Sequence, residues 1–151
     1  MGNKLSLSVQ YASDAPELPT RAQLRCWINA ALQRDANMTV RIVDEPEARK
    51  LNKNYRGKDY ATNVLTFVYE DNVQHNADPL SGDVVICAPV VAREAAAQHK
   101  NLLAHYAHLA IHAALHLQGY EHENDADAAV METLETALML KLRYPDPYQA
   151  R

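Results

Sequence analysis

The stretch GDVVICAPVVARE, residues 82–94, changes its periodicity halfway along. Behind a glycine, residues 83–87 form a short β-branched, apolar run that reads as a strand. From Pro89 onward the apolar residues take helical spacing. All the strand signals lie before this point and only helical ones after it, so the order of elements turns here.

Working back towards the N-terminus, residues 64–69 are a further strand. A polar loop, EDNVQHNADPLSG, with Pro79 and Gly82, joins it to residues 83–87 and predicts a long-looped antiparallel pair. Asp44 and Glu47 have the spacing of a capping box, opening a helix that Gly57 closes and whose apolar stripe is Ala48, Leu51 and Tyr55. Residues 38–43 alternate as a strand. Thr20 and Gln23 form another capping box, ahead of Leu24, Trp27, Ile28, Ala31 and Leu32 on one face of a helix over 20–33. Leu5, Leu7 and Val9 alternate with Ser6, Ser8 and Gln10 as a first strand.

Towards the C-terminus, helices are expected over 90–98, 102–118 and 125–142. The last has Asp125 as its cap and a stripe of Val130, Met131, Leu134, Ala137 and Leu138, and the tail from Tyr144 is expected to be irregular. The order β-α-β-α-β-β-α-α-α predicts an α+β fold: one domain over 1–151, with a mixed four-stranded sheet packed by about five helices. A parallel crossover between the second and third strands is expected.

No run approaches the roughly 20 apolar residues that a membrane-spanning helix needs. A net charge of −4 argues against a broad basic grip on nucleic acid, but leaves room for RNA held at a local cationic site or delivered by a partner. MGNKLS fits a myristoylation pattern, yet its residues are claimed by the first strand, and nothing resembles a secretion signal. Cys26 and Cys87 lack metal-binding spacing and are expected to be buried, reduced thiols, which with the missing signal points to the cytoplasm.

The chemistry gathers in IHAALHLQGYEH, residues 111–122. His112 and His116, four apart, share one helix face. Gly119 can take positive φ, end the helix and turn the chain so that His122 reaches the same point. Three neutral imidazoles with an open fourth position suit a catalytic zinc, with nickel or another divalent ion as alternatives. This places the metal site at the end of a helix in the C-terminal half. His108, one turn earlier, is a candidate partner that fixes a ligand's tautomer, as is Asp83; His75, His99 and His105 are expected at the surface. Asp59 and Asn63 have no assigned role.

The histidine offsets match a zinc metallopeptidase pattern, HExxHxxGxxH, but Ala113 stands where its general base, a glutamate, belongs. The stretch instead resembles the signature of the YbeY family of bacterial endoribonucleases, HGxLHLxGYDH, with Ala113 for glycine and Glu121 for aspartate. The resemblance continues through LNKNYRGKDYATNVLTF (51–67) and through residues 82–94, and so covers nearly the whole chain.

The resemblance implies metal-dependent cleavage of single-stranded RNA, roles in maturing the 3′ end of the small-subunit ribosomal RNA and in ribosome quality control, and ribosomal or assembly-factor partners. It carries His112, His116, His122 and Arg56 over as catalytic residues. An always-charged guanidinium suits the negative charge that phosphodiester cleavage builds on two oxygens, and Lys58 is a further phosphate-binding candidate. The general base is left open between metal-bound water acting alone, Glu121 and His108, as is attack by the RNA 2′-OH. The rival from another class is a ribosome-associated assembly factor with a structural metal.

Overall fold

The computed structural model describes residues 3–69 and 79–149. Gly2 of the N-terminal motif, His75 and most of the polar loop before Gly82 fall outside them. The elements follow the expected order: β1 (Leu5–Ala12), α1 (Arg21–Ala31), β2 (Ala36–Val43), α2 (Glu45–Arg56), β3 (Val64–Val68), β4 (Leu80–Cys87), α3 (Ala88–Ala97), α4 (Leu102–Leu117) and α5 (Asp125–Lys141).

The four strands lie in the order β1-β2-β4-β3. β1 pairs parallel with β2, β2 parallel with β4, and β3 antiparallel with β4. The long-looped antiparallel pair is therefore present, but the expected parallel crossover from the second strand to the third is not. The fourth strand takes that place. Burial explains the exchange: Val84, Val85, Ile86 and Cys87 are all buried, and such a run belongs inside a sheet with both faces covered, whereas the half-exposed β3 suits an edge.

The helices divide between the two faces. The larger core sets Leu24, Trp27 and Ile28 of α1 and Ala110, Ile111 and Leu115 of α4 against Val40, Val84 and Ile86. The smaller puts Ala48 of α2 and Val90 of α3 on Val43, Leu65 and Val85. α4 is buried around nearly its whole circumference, as expected of a helix apolar on all sides. Its last turn rests on Gly82. A Cβ there would stand 2.9 Å from the Phe67 carbonyl oxygen and 3.0 Å from Leu117 Cδ2, so the missing side chain lets the helix end settle on the sheet.

Capping held at one of the two expected boxes. Gln23 N–H donates to Thr20 Oγ1 at 3.1 Å and Thr20 N–H to Gln23 Oε1 at 2.8 Å. At α2, Asp44 occupies the cap position but its carboxylate accepts from Ser13 instead, while Glu47 takes a two-pronged bond from Arg41 at 2.6 and 2.9 Å. A guanidinium on the neighbouring strand outcompetes the box. Gly57, at φ +71°, closes α2 as expected.

Three further expectations need correction. Cys87 is buried but Cys26 is exposed, because the helical period turns Leu24, Trp27, Ile28 and Ala31 inward and leaves position 26 outside. The cap of α5 is Asn124, which accepts from Asp127 N–H at 2.8 Å, rather than Asp125. The buried stripe of α5 is Met131, Glu135 and Met139, with Val130 54% exposed. Among the described residues, no helix is long and apolar enough to cross a membrane.

Candidate active site

Asn101 caps α4 by accepting from Ala104 N–H at 3.0 Å, and the helix carries His112 and His116 to its C-terminal end. Their rings are nearly parallel, 8° apart, with centroids separated by 6.5 Å. The chain then reverses at Gly119, φ +102°, where Gly119 N–H donates to His116 O and Tyr120 N–H to Leu115 O. This is the turn that brings His122 back. Its ring lies 5.4 Å from that of His112 and 6.2 Å from that of His116.

The turn is anchored to α1's end: Gln118 Nε2 donates to Ala31 O, and Gln33 N–H to Gln118 Oε1. A side chain at position 119 would be strained by its backbone angle even though no atom lies within 4 Å of the added Cβ. Gly119→Ala is therefore expected to cost about 1–3 kcal/mol and to displace His122. Chemical denaturation and the affinity for zinc, measured together, check both parts.

Beneath His112 lies a residue that the reading of the sequence passed over. Glu135, on α5, has no exposed surface, and its Oε2 stands 2.5 Å from His112 Nδ1. Its Oε1 stands 3.2 Å from His108 Nε2 and accepts from the Tyr148 hydroxyl. Burial raises the carboxyl's pKa, but hydrogen bonds from His108, His112 and Tyr148 outweigh it and lower the value to about 2. An ionised carboxylate only accepts, so Nδ1 of His112 is the nitrogen that donates to it, and the ring turns Nε2 away from Glu135. Burial, followed by the bond to Glu135, raises the pKa of Tyr148 in turn. The signal for Glu135 was present as a lone charge at four-residue spacing between Met131 and Met139. Tyr148 gave none, because it comes from the irregular tail.

His108 reaches the histidine cluster through Glu135 rather than by touching a ring nitrogen of another histidine. His105, expected at the surface, is buried and bonds Glu94 at 2.9 Å, since α4 has almost no outward side. His99 is exposed, as expected.

A cavity of about 630 Å³ opens over the histidines, with Arg56, Glu121, His112, His116 and His122 in its wall. Arg56 is the last residue of α2 and is exposed, and among the described residues its side chain makes no hydrogen bond or ion pair. Glu121 Oε2 stands 3.9 Å from His116 Nδ1, a buried nitrogen with no hydrogen bond. Two other candidates lie elsewhere. Lys58 is not part of the cavity wall, and Asp83 accepts from the Tyr69 hydroxyl at 2.6 Å on the sheet rather than meeting a histidine. Asp59 forks with Arg49, and Asn63 donates to Glu94.

Among the described residues, no group of three or more His, Cys, Asp or Glu side chains stands arranged to hold a metal ion. The donor chemistry nonetheless suits a borderline divalent cation: three imidazoles in the wall of one cavity, one of them oriented by a buried carboxylate, and another with a buried ring nitrogen that makes no hydrogen bond among the described residues.

The family model described as Endoribonuclease YbeY matches residues 10–143. A protein named Endoribonuclease YbeY from Nitrosospira multiformis is 54% identical, covering 96% of this chain and 82% of its own length. One of the same name from Thiobacillus denitrificans is also 54% identical, over 99% of this chain and 100% of its own. The solution structure of a Thermotoga maritima protein superposes with a TM-score of 0.57 at 22% identity, covering 95% of this chain and 99% of its own, and shares the fold.

Proposed function

Because the chain belongs to the endoribonuclease YbeY family, we propose that it cleaves single-stranded RNA with the help of one divalent metal ion, zinc first and nickel as the alternative. Residues 1–151 then work as one domain in the cytoplasm, on the 3′ end of small-subunit ribosomal RNA and in ribosome quality control, alongside the ribosome or its assembly factors. The observation that carries the reading is the convergence of His112, His116 and His122 in one cavity with an uncommitted arginine. A peptidase finds no support, since the buried Ala113 has no proton-accepting group.

His112, His116 and His122 would hold the ion, which when bound supplies Lewis-acid polarisation of the phosphodiester. Glu135 keeps the proton on Nδ1 of His112, so that Nε2 is held as a donor atom in a fixed orientation. Among the described residues Arg56 has no bond to break before its fork meets two non-bridging phosphate oxygens. Glu121 and Glu123 are the carboxylates of the cavity wall in place to take a proton. Cyclic phosphate ends on the product would instead assign the attack to the RNA's own 2′-OH.

The test is cleavage of a defined single-stranded RNA by the purified protein and its variants. Arg56→Ala should fold normally, because the side chain is exposed and unbonded, yet lower kcat about 100- to 1000-fold. Unchanged cleavage would remove Arg56 from the site. Equal cleavage by wild type, Arg56→Ala and His116→Ala would point to a contaminating nuclease and leave the assembly-factor reading.

A further inference from the structure

The cavity has a second end that cleavage chemistry does not use. Tyr55 precedes Arg56 on α2, lines the same cavity and leaves 68% of its surface exposed. Its ring is not loose. Phe67 stands edge-on behind it, with centroids 5.0 Å apart and planes at 68°, which steadies one side of an aromatic surface and leaves the rest to solvent.

Beside it runs β3, the last strand of the sheet. Among the described residues, β3 pairs only with β4. Cys87 N–H donates to Asn63 O, and Tyr69 N–H to Ser81 O, so the odd-numbered residues of β3 face β4. By the alternation of an antiparallel ladder, the peptide groups of Val64 and Thr66 turn the other way, on the edge where both residues line the cavity.

The geometry points to a subsite for one unpaired nucleobase: its face stacks on the Tyr55 ring, its edge meets the peptide groups of Val64 and Thr66, and the phosphate beside it lies on Arg56. The inference rests on the reading of the protein as an RNA-cleaving enzyme and adds the part of the substrate it grips. An aromatic face accepts any base, because every base has a π-face, and it accepts only a base free of a duplex. Preference for single strands would thus reside in Tyr55, and backbone groups at the edge would supply the finer choice among bases.

The experiment pairs a change in the protein with a change in the RNA. Wild type, Tyr55→Ala and Tyr55→Phe are compared on a short single-stranded RNA and on copies of it carrying one abasic nucleotide at successive positions. Binding is read by fluorescence anisotropy and turnover by steady-state kinetics. Tyr55→Ala should weaken binding and raise KM by about 10- to 100-fold, with kcat moved far less, while Tyr55→Phe restores wild-type behaviour. At one abasic position wild type should lose the same factor and Tyr55→Ala should lose nothing more.

Independent losses at every position, or failure of phenylalanine to restore binding, would overturn the subsite. Anisotropy reports on it even if no cleavage is found, and absence of cleavage would fall on the proposed activity instead.

Discussion

His116→Ala is expected to lower RNA cleavage by about a thousandfold or more while the protein stays folded. The ring is half-buried in the cavity wall and among the described residues makes no hydrogen bond through its buried Nδ1; its one charged neighbour, Glu121 at 3.9 Å, is exposed to solvent, so the loss of the ring removes little packing and strands no buried group. What it removes is one of the three nitrogens that would hold the ion. Loss of a Lewis acid held there would withdraw several kcal/mol of transition-state stabilisation, each 1.4 kcal/mol being about tenfold in rate. Chelation of the wild type should produce the same loss and added zinc should reverse it, whereas His99→Ala, at an exposed position, should change neither. A variant that loses activity only by unfolding would show it in circular dichroism.

Glu135→Ala should act on stability and on the site together. The carboxylate is fully buried and collects bonds from His108, His112 and Tyr148; removing it leaves those groups without their partner and opens a cavity beside Met131 and Met139. A loss of about 3–5 kcal/mol in denaturant unfolding is expected, since such groups cost most when one partner is withdrawn. Zinc affinity should fall about 10- to 100-fold, because His112 no longer has a fixed tautomer or orientation.

The conservative Glu135→Gln separates the two effects through pH. In the fold the carboxyl's pKa is lowered from its ordinary 4.5 to about 2, so between those values the unfolded chain binds the extra proton. Its contribution to stability is present above about pH 4.5 and is lost as the pH falls towards 2. The metal-free wild type should therefore lose stability more steeply over that window than Glu135→Gln. Parallel curves would mean that the carboxyl is not held ionised.

Local chemistry explains which parts of this were legible beforehand. The spacing of His112, His116 and His122 around Gly119 is set by one helix turn and one permissive glycine, both confined to a few neighbouring residues. The capping box at Thr20 and the helix stop at Gly57 are equally local. The order of strands was not, because it depends on which strand both faces of the sheet can bury, and that is a comparison between β3 and β4 across the whole fold. Glu135 escaped for a related reason: its partners lie 23 and 27 residues earlier in the chain and 13 residues later, on α4 and in the irregular tail. Asp83, a candidate partner for a histidine by its sequence, is placed by the same kind of long-range choice. It lies in β4, where its carboxylate accepts from the Tyr69 hydroxyl rather than meeting a histidine.

The most direct test is a count of bound metal. Wild type and the triple variant His112→Ala/His116→Ala/His122→Ala are dialysed against a small excess of zinc, freed of unbound ion and analysed for metal and protein. About one ion per wild-type chain and essentially none on the folded triple variant are expected. Metal-free wild type, or equal loading of the two, would contradict a metal site built from the three histidines.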